Sequence, residues 1–243
     1  MGTGYKHYRV TFDYHTHTLF SHGKGSIEDN VKMAAEKGLA GIAITDHGPG
    51  HLFFGIKRKD ILVMRAEIER LKKVYPTLTI LLGVEANIIN KGRNIDITEE
   101  EKKLFDVILA GYHFGVRNGH VPSNFMSKLF GKTEKTRSRN TEMVVKAIME
   151  NEIKILTHPG DKADFDLFKI AEACAARGTL MEISSWHENL TVDEIRLVEK
   201  TGVQFVVSSD AHKPERIGDC SGGIERALEA GIAMERVVNV EAF

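Results

Sequence analysis

The chain is poor in cysteine. Two in 243 residues, Cys174 and Cys220, are too few for a disulfide framework and too sparse for a zinc–thiolate site. Cys174 lies in an apolar helical run and reads as a small core residue. No apolar run reaches the roughly 18 residues that a transmembrane helix needs. The start, Met1-Gly2-Thr3-Gly4-Tyr5-Lys6, carries no apolar signal region, and Lys6 stands where a myristoylation signal wants Ser or Thr. A cytoplasmic protein without a membrane partner is expected. Net charge is also nearly lacking: 33 Lys+Arg against 34 Asp+Glu leave −1. No bulk field recruits nucleic acid, which speaks against a nucleic-acid enzyme although local patches stay open. Linker-like breaks and low-complexity segments are absent too, so residues 1–243 are expected to form one domain around one core.

What the chain has in excess is histidine, eleven in all. His15 and His17 follow the β-rich run Tyr8–Phe12. Side chains two apart on a strand share a face, about 7 Å apart along the backbone, close enough to grip one ion. His22 follows after the chain has left the strand and could turn back over the same spot.

The remaining chain alternates strand and helix. Ser26 with Asp29, Thr98 with Glu101 and Thr191 with Glu194 form capping-box patterns. Helices are expected from Ser26 to Lys37, Arg58 to Val74, Thr98 to Phe105, Asn140 (as cap) to Glu150, Asp166 to Arg177, after Thr191, and from Gly223 to Glu229. Continuous apolar runs such as Gly41–Thr45 suit strands buried on both faces of a parallel sheet. Further strands are expected at 78–84, 107–110, 154–157, 179–184 and 203–208, and Val237-Val238 reads as a short tail element. The alternation makes seven βα units and predicts an α/β fold, a closed or distorted barrel.

On this map His15 and His17 end strand one, His47 follows strand two and Glu85 ends strand three. His113 follows strand four, His158 strand five, and Asp210 with His212 strand seven. All strand C-termini of a parallel barrel open on one face, so these residues converge whatever their separation in sequence. Seven of the eleven histidines, counting His22, fall at that rim. His7, His51, His120 and His187 are expected to be solvated, with His51 and His187 near enough to the mouth to touch a substrate.

Imidazole and carboxylate donors without thiolates suit zinc, manganese or iron in a catalytic site. Nine candidates exceed what one four-coordinate ion needs, and with a bridging carboxylate they suffice for three. Three divalent ions over seven neutral imidazoles and two carboxylates leave a strongly positive pocket, only partly relieved by hydroxide. Such a pocket wants a multiply charged anion, and a phosphate monoester fits. Metals also bring the pKa of bound water toward ~7, giving a nucleophile at neutral pH.

Five stretches carry a resemblance: Asp13-Tyr14-His15-Thr16-His17-Thr18, Ile44-Thr45-Asp46-His47-Gly48-Pro49, Gly83-Val84-Glu85-Ala86-Asn87-Ile88, Thr157-His158-Pro159-Gly160-Asp161 and Ser208-Ser209-Asp210-Ala211-His212. In this order the chain resembles the PHP (polymerase and histidinol phosphatase) family, and within it the small stand-alone phosphatases of the YcdX-like branch. The resemblance implies a distorted (βα)7, TIM-like barrel with a trinuclear site at the strand C-termini. It implies that His15, His17, Glu85 and Asp210 hold one metal, that Glu85 bridges to a second held by His113 and His158, and that His22, His47 and His212 hold the third. Zinc is the first expectation, with manganese or iron as alternatives.

The function expected is a metal-dependent phosphomonoesterase acting on a small phosphorylated metabolite. Asp46 would orient a ligand residue or handle a proton, and Arg117 and Arg216 are candidates to grip the phosphate. A phosphodiesterase or exonuclease is the rival within the family, and histidinol phosphate is one candidate substrate. An amidohydrolase also opens with His-x-His, but that family typically takes a carboxylated lysine at strand four, where this chain offers His113. A metal-storage protein without turnover is the remaining class. Glu182, on strand six, reads as a core-edge group or one lying behind the ligands. The stretch Gly115 to Arg139 is basic, with Arg117, Lys128, Lys132, Lys135, Arg137 and Arg139 against Glu134 alone. With Phe125, Met126, Leu129 and Phe130 it is expected to act as a lid over the mouth, or as an arm toward a second copy of the chain.

Overall fold

The computed structural model describes residues 4–117 and 133–243. Seven short parallel strands pair in chain order: β2 (Phe12–Asp13), β3 (Gly41–Ile44), β4 (Thr79–Asn87), β5 (Val107–Gly111), β6 (Ile155–Leu156), β7 (Leu180–Ser184) and β8 (Phe205–Ser208). The helices Ile27–Glu36, Ile61–Val74, Glu99–Lys102, Glu134–Glu150, Leu167–Arg177, Val192–Val198 and Ser221–Ala230 intervene or follow. Just past the strands, His17 N donates to Ala211 O at 2.8 Å and Ala211 N to His15 O at 3.2 Å. The first and last strands thus meet, and the sheet is nearly closed into a barrel.

Residues on alternate sides of each strand have different fates. Ala43, Val107, Leu109, Ile155, Leu180 and Val206 form a small apolar cluster of their own. Their neighbours, such as Ile42, Ile108, Met181 and Val207, join the larger core shared with the helices. Two residues further along the strands, the inner register turns polar at Glu85, Thr157, Glu182 and Ser208, all buried. The apolar plug at one end and the polar rim at the other set where chemistry can occur.

The three capping boxes form as the sequence suggests, at Ser26, Thr98 and Thr191, and Gly178, in the left-handed region at φ 68°, ends the helix that Asp166 caps. Three expectations need correction. The run Tyr8–Phe12 is not one strand: β1 (Tyr8–Val10) pairs antiparallel with the C-terminal β9 (Val240–Ala242), and the chain changes partner at Thr11, whose N–H and hydroxyl both donate to Asn239 O. The tail strand accordingly lies at β9, while Val237 only bridges Phe205. Asn140 is not an N-cap. That helix starts at Glu134, where the Thr133 hydroxyl accepts from Thr136 N at 3.2 Å, and Asn140 is buried in its interior.

Part of the basic stretch is therefore helical. Positions 118–132 lie outside the described residues, and with them His120, Ser123, Phe125, Met126, Lys128, Leu129, Phe130 and Lys132 of the expected lid. Among the described residues no helix is long and apolar enough to cross a membrane.

Candidate metal centre

The nine residues singled out at the strand ends come together. His15 and His17 follow β2 on a segment held by Thr16, whose N–H reaches the Thr45 hydroxyl and whose hydroxyl reaches Ala43 O. Their Nε2 atoms face each other at 3.1 Å. Asp210 Oδ1 lies 3.2 Å from His17 Nε2 and 3.6 Å from His15 Nε2. Glu85 Oε2 lies 3.4 Å from His15 Nε2 and 3.8 Å from His17 Nε2.

Glu85 is the hub. Its Oε1 is 2.9 Å from His158 Nε2 and 3.1 Å from His113 Nε2, and its Oε2 is 2.7 Å from His47 Nδ1. Gly111 makes this approach possible: a Cβ there would sit 2.8 Å from Glu85 Oε1 and 2.7 Å from His113 Cε1. On the far side His22 Nε2 and His212 Nε2 are 2.6 Å apart. Four overlapping sets each have donor atoms within 4.8 Å of one another: His17, His22, His47 and His212; His15, His17 and Glu85; His47, Glu85 and His113; and His158, His187 and Asp210.

Several buried polar atoms of the cluster lack partners among the described residues. His17 Nδ1, His22 Nδ1, His47 Nδ1, Glu85 Oε2 and Asp210 Oδ1 are buried without a well-formed hydrogen bond among the described residues, His47 Nδ1 and Glu85 Oε2 standing 2.7 Å apart but misaligned for one. Burying polar atoms unpaired is costly, and a cation bound between them would offset it. Charge states agree with that. Burial resists ionisation of Glu85 and Asp210, but the imidazoles around them hold both well below the usual carboxylate range. Burial lowers His17 and His212, takes His22 down to about 4 and His113 to about 3, leaving neutral rings, the form in which nitrogen can ligate. His15 moves the other way: burial opposes its charge, and Asp210, Glu182 and Glu85 outweigh it. Imidazoles, four of them held neutral, and two ionised carboxylates without thiolate form a donor set that fits divalent transition ions.

Behind these atoms stand groups that fix ring orientation. His15 Nδ1 donates to Glu182 Oε1 at 2.7 Å, and His113 Nδ1 to Asn87 Oδ1 at 2.8 Å. Asn87 in turn donates to the buried Asp96 at 2.6 Å. His212 Nδ1 donates to Asp210 O at 2.9 Å. Each bond commits Nδ1 and turns the Nε2 lone pair inward. His158 and Asp210, with φ of 27° and 48°, hold left-handed backbone that non-glycine residues rarely adopt, a strain found most often where function requires it.

Asp46 is wholly buried and faces the loop that carries His22. Its Oδ1 accepts from Thr18 N at 2.7 Å and Ser21 Oγ at 2.5 Å, and its Oδ2 from Thr18 Oγ1 at 2.7 Å. The two arginines stand apart from the mouth. The cleft over the cluster, about 430 Å³, is lined by neither Arg117 nor Arg216. Arg216 stacks on Trp186, 4.6 Å from the ring centroid, and Arg117 is exposed. A larger cleft of about 760 Å³, lined by Tyr14, Lys102 and Lys154 among others, contains none of the nine residues.

Other groups stand at the mouth, His51 and His187 where the sequence expects them near the substrate, and Lys162, Phe53, Phe54 and Trp186 without such an expectation. His187, expected to be solvated but near the mouth, sits with Nε2 3.1 Å from Asp210 Oδ2 and Nδ1 3.2 Å from Asp161 Oδ2. Burial opposes its charge, yet these two carboxylates carry it up to about 9. Lys162 lines the cleft and pairs with Asp161; its only signal was its place four residues past His158. Phe53, Phe54 and Trp186 form apolar walls and are 78%, 42% and 50% exposed. His51 also lines the cleft, with burial pushing its ring down to about 4.

The family model described as PHP domain matches residues 13–187. A Shewanella loihica protein named "Probable phosphatase" is 29% identical, the match covering 93% of this chain and 88% of that one. A Thermoanaerobacter pseudethanolicus protein, also named as a probable phosphatase, is 29% identical over 96% of this chain and 91% of its own. Among solved structures, a histidinol phosphate phosphatase from Lactococcus lactis, complexed with zinc, L-histidinol and phosphate, is similar in fold. Its TM-score is 0.61 at 17% identity, covering 91% of this chain and 92% of that one.

Proposed function

Since the chain belongs to the PHP domain family, we propose that it is a metal-dependent phosphomonoesterase working on a small phosphorylated metabolite. The observation that carries this reading is the convergence of seven histidines, five of them buried, with Glu85 and Asp210, where several polar atoms find no hydrogen-bond partner among the described residues. The relatives named as probable phosphatases support it. We read the centre as trinuclear, with Glu85 as bridge, because its two oxygens face different imidazoles: His113 and His158 at Oε1, His47 at Oε2. Zinc is the ion the donor set suits first, then manganese or iron.

Divalent ions in such a set supply Lewis acidity and a water ionised near neutral pH, with pKa ~7. The chain's own residues do the rest. Glu182, Asn87 and the Asp210 carbonyl aim the imidazoles, and the barrel below excludes water. Lys162 puts a cation in the cleft lining where an anion would enter, the one lysine there among the described residues. Arg216 could reach the mouth only past Trp186, and we keep it and Arg117 as candidates for the phosphate's outer oxygens. The described residues are read as one domain, since β1 and β9 tie the two ends to each other.

Protein purified without chelator should contain close to three transition-metal ions per chain by elemental analysis, and should hydrolyse p-nitrophenyl phosphate faster than its bis-ester. One ion at full occupancy with activity intact would overturn the trinuclear reading. Preference for the bis-ester would favour the phosphodiesterase, and metal without turnover a storage protein. A panel of phosphorylated metabolites, histidinol phosphate included, would identify the substrate.

A further inference from the structure

His51 lines the cleft but belongs to none of the converging donor sets. Its surroundings say why. Nδ1 accepts from two backbone amides of its own turn, Phe53 N at 3.4 Å and Phe54 N at 3.2 Å. A nitrogen that receives two N–H donors has to offer its lone pair, so the ring hydrogen belongs to Nε2. An imidazolium would set a third N–H against those two. The turn itself is pinned: His51 N donates to Gly48 O, Gly55 N to His51 O, and Leu52 N to Gly115 O at 2.9 Å.

The ring stands 5.3 Å from that of His47 and 6.2 Å from that of His113, centroid to centroid. It is thus beside the Glu85 cluster, yet with a protonated nitrogen it cannot ligate. Nε2 finds no hydrogen-bond partner among the described residues. The oxygen it suits is one brought by the substrate.

We propose that His51 is a substrate-positioning residue whose Nε2–H donates to a phosphoryl oxygen held over the His47–Glu85–His113 side of the cluster. This rests on the phosphomonoesterase reading. His51 is then a neutral donor locked by its own backbone, and it holds the anion without adding to the metal ligands. The conservative replacement follows from geometry: glutamine can place its amide N–H near the Nε2 position, whereas asparagine places it near Nδ1.

Two measurements test this on the full chain. In metal-free protein labelled with ¹⁵N-histidine, the ring signals that vanish in His51→Leu should show the Nε2–H tautomer; an Nδ1–H tautomer overturns the proposal. In metal-loaded protein, inorganic phosphate should bind roughly tenfold or more weakly to His51→Leu and His51→Asn, as for loss of a hydrogen bond to a charged group. His51→Gln should stay near the parent, and metal content should be unchanged in all three. Loss of metal in His51→Leu would make it a ligand, and equal phosphate affinity across the series would make it structural; either overturns the proposal. Parent protein that binds phosphate but hydrolyses no monoester overturns the activity reading alone, with the His51 series still decisive. Parent protein that binds no phosphate overturns both.

Discussion

His15 Nδ1 lies 2.7 Å from Glu182 Oε1, and both side chains are fully buried. The carboxylate comes from a strand 167 positions away and fixes the proton on Nδ1, so that Nε2 faces Asp210 and Glu85. Its other oxygen accepts from His158 N at 2.7 Å, and Ser208 Oγ donates to Oε1. Glu182 thus braces two candidate ligands at once. In Glu182→Gln the amide NH₂ must meet one of these donors. Metal affinity should fall about 10- to 100-fold, the usual cost of losing such support, measured by competition with a chelator. Unchanged affinity would leave Glu182 as an ordinary core residue.

Glu85→Gln should be harsher. The amide keeps the shape but loses the charge that, on the bridging reading, would neutralise ions on two sides. We expect more than one metal ion to be lost per chain and hydrolysis to drop to background, while Glu100→Gln, at an exposed position, does neither. Full metal content in Glu85→Gln would mean that it bridges nothing.

Asp46→Asn separates the loop from the cluster. Asp46 holds Thr18 and Ser21 by three bonds, and the asparagine NH₂ would face a donor at one of them. The loop carrying His22 should loosen, lowering metal stoichiometry at the His22–His47–His212 side while the other ions stay. Intact stoichiometry with a changed pH–rate profile would instead point to proton handling by Asp46.

The cysteines give a prediction independent of metal. Burial pushes the Cys174 thiol up to about 12 and Cys220 well up as well. A thiol held protonated in the folded chain ionises first when unfolded, near its ordinary value of 9.0. Stability should therefore be unaffected below that pH and decline as pH rises from there toward about 12. At pH ~8 a disulfide reagent should titrate neither thiol in folded protein and both after denaturation. Rapid reaction of the folded chain would show that Cys174 is reachable.

The order of strands and helices, three of the caps and the gathering of nine residues at one rim were legible in the sequence. Apolar periodicity and capping are local properties of the chain, and parallel strands place their C-termini on one face whatever the loop lengths. The split of Tyr8–Phe12 between two sheets was not legible, because a strand's partner is chosen by the distant Asn239 rather than by its own residues. The cap at Thr133 was missed because Asn140 is the stronger local signal, and burial in the helix interior overrode it. Spacing put Glu182 behind the ligands and His51 and His187 near the mouth, but it could not give their partners. Their roles depend on which way a side chain points and which hydrogen it must share. These are settled only when Glu182 meets His15, when two backbone amides take His51 Nδ1, and when Asp161 and Asp210 close on His187. Position along a strand is a matter of period, whereas the partner of a buried polar atom is a matter of three-dimensional packing.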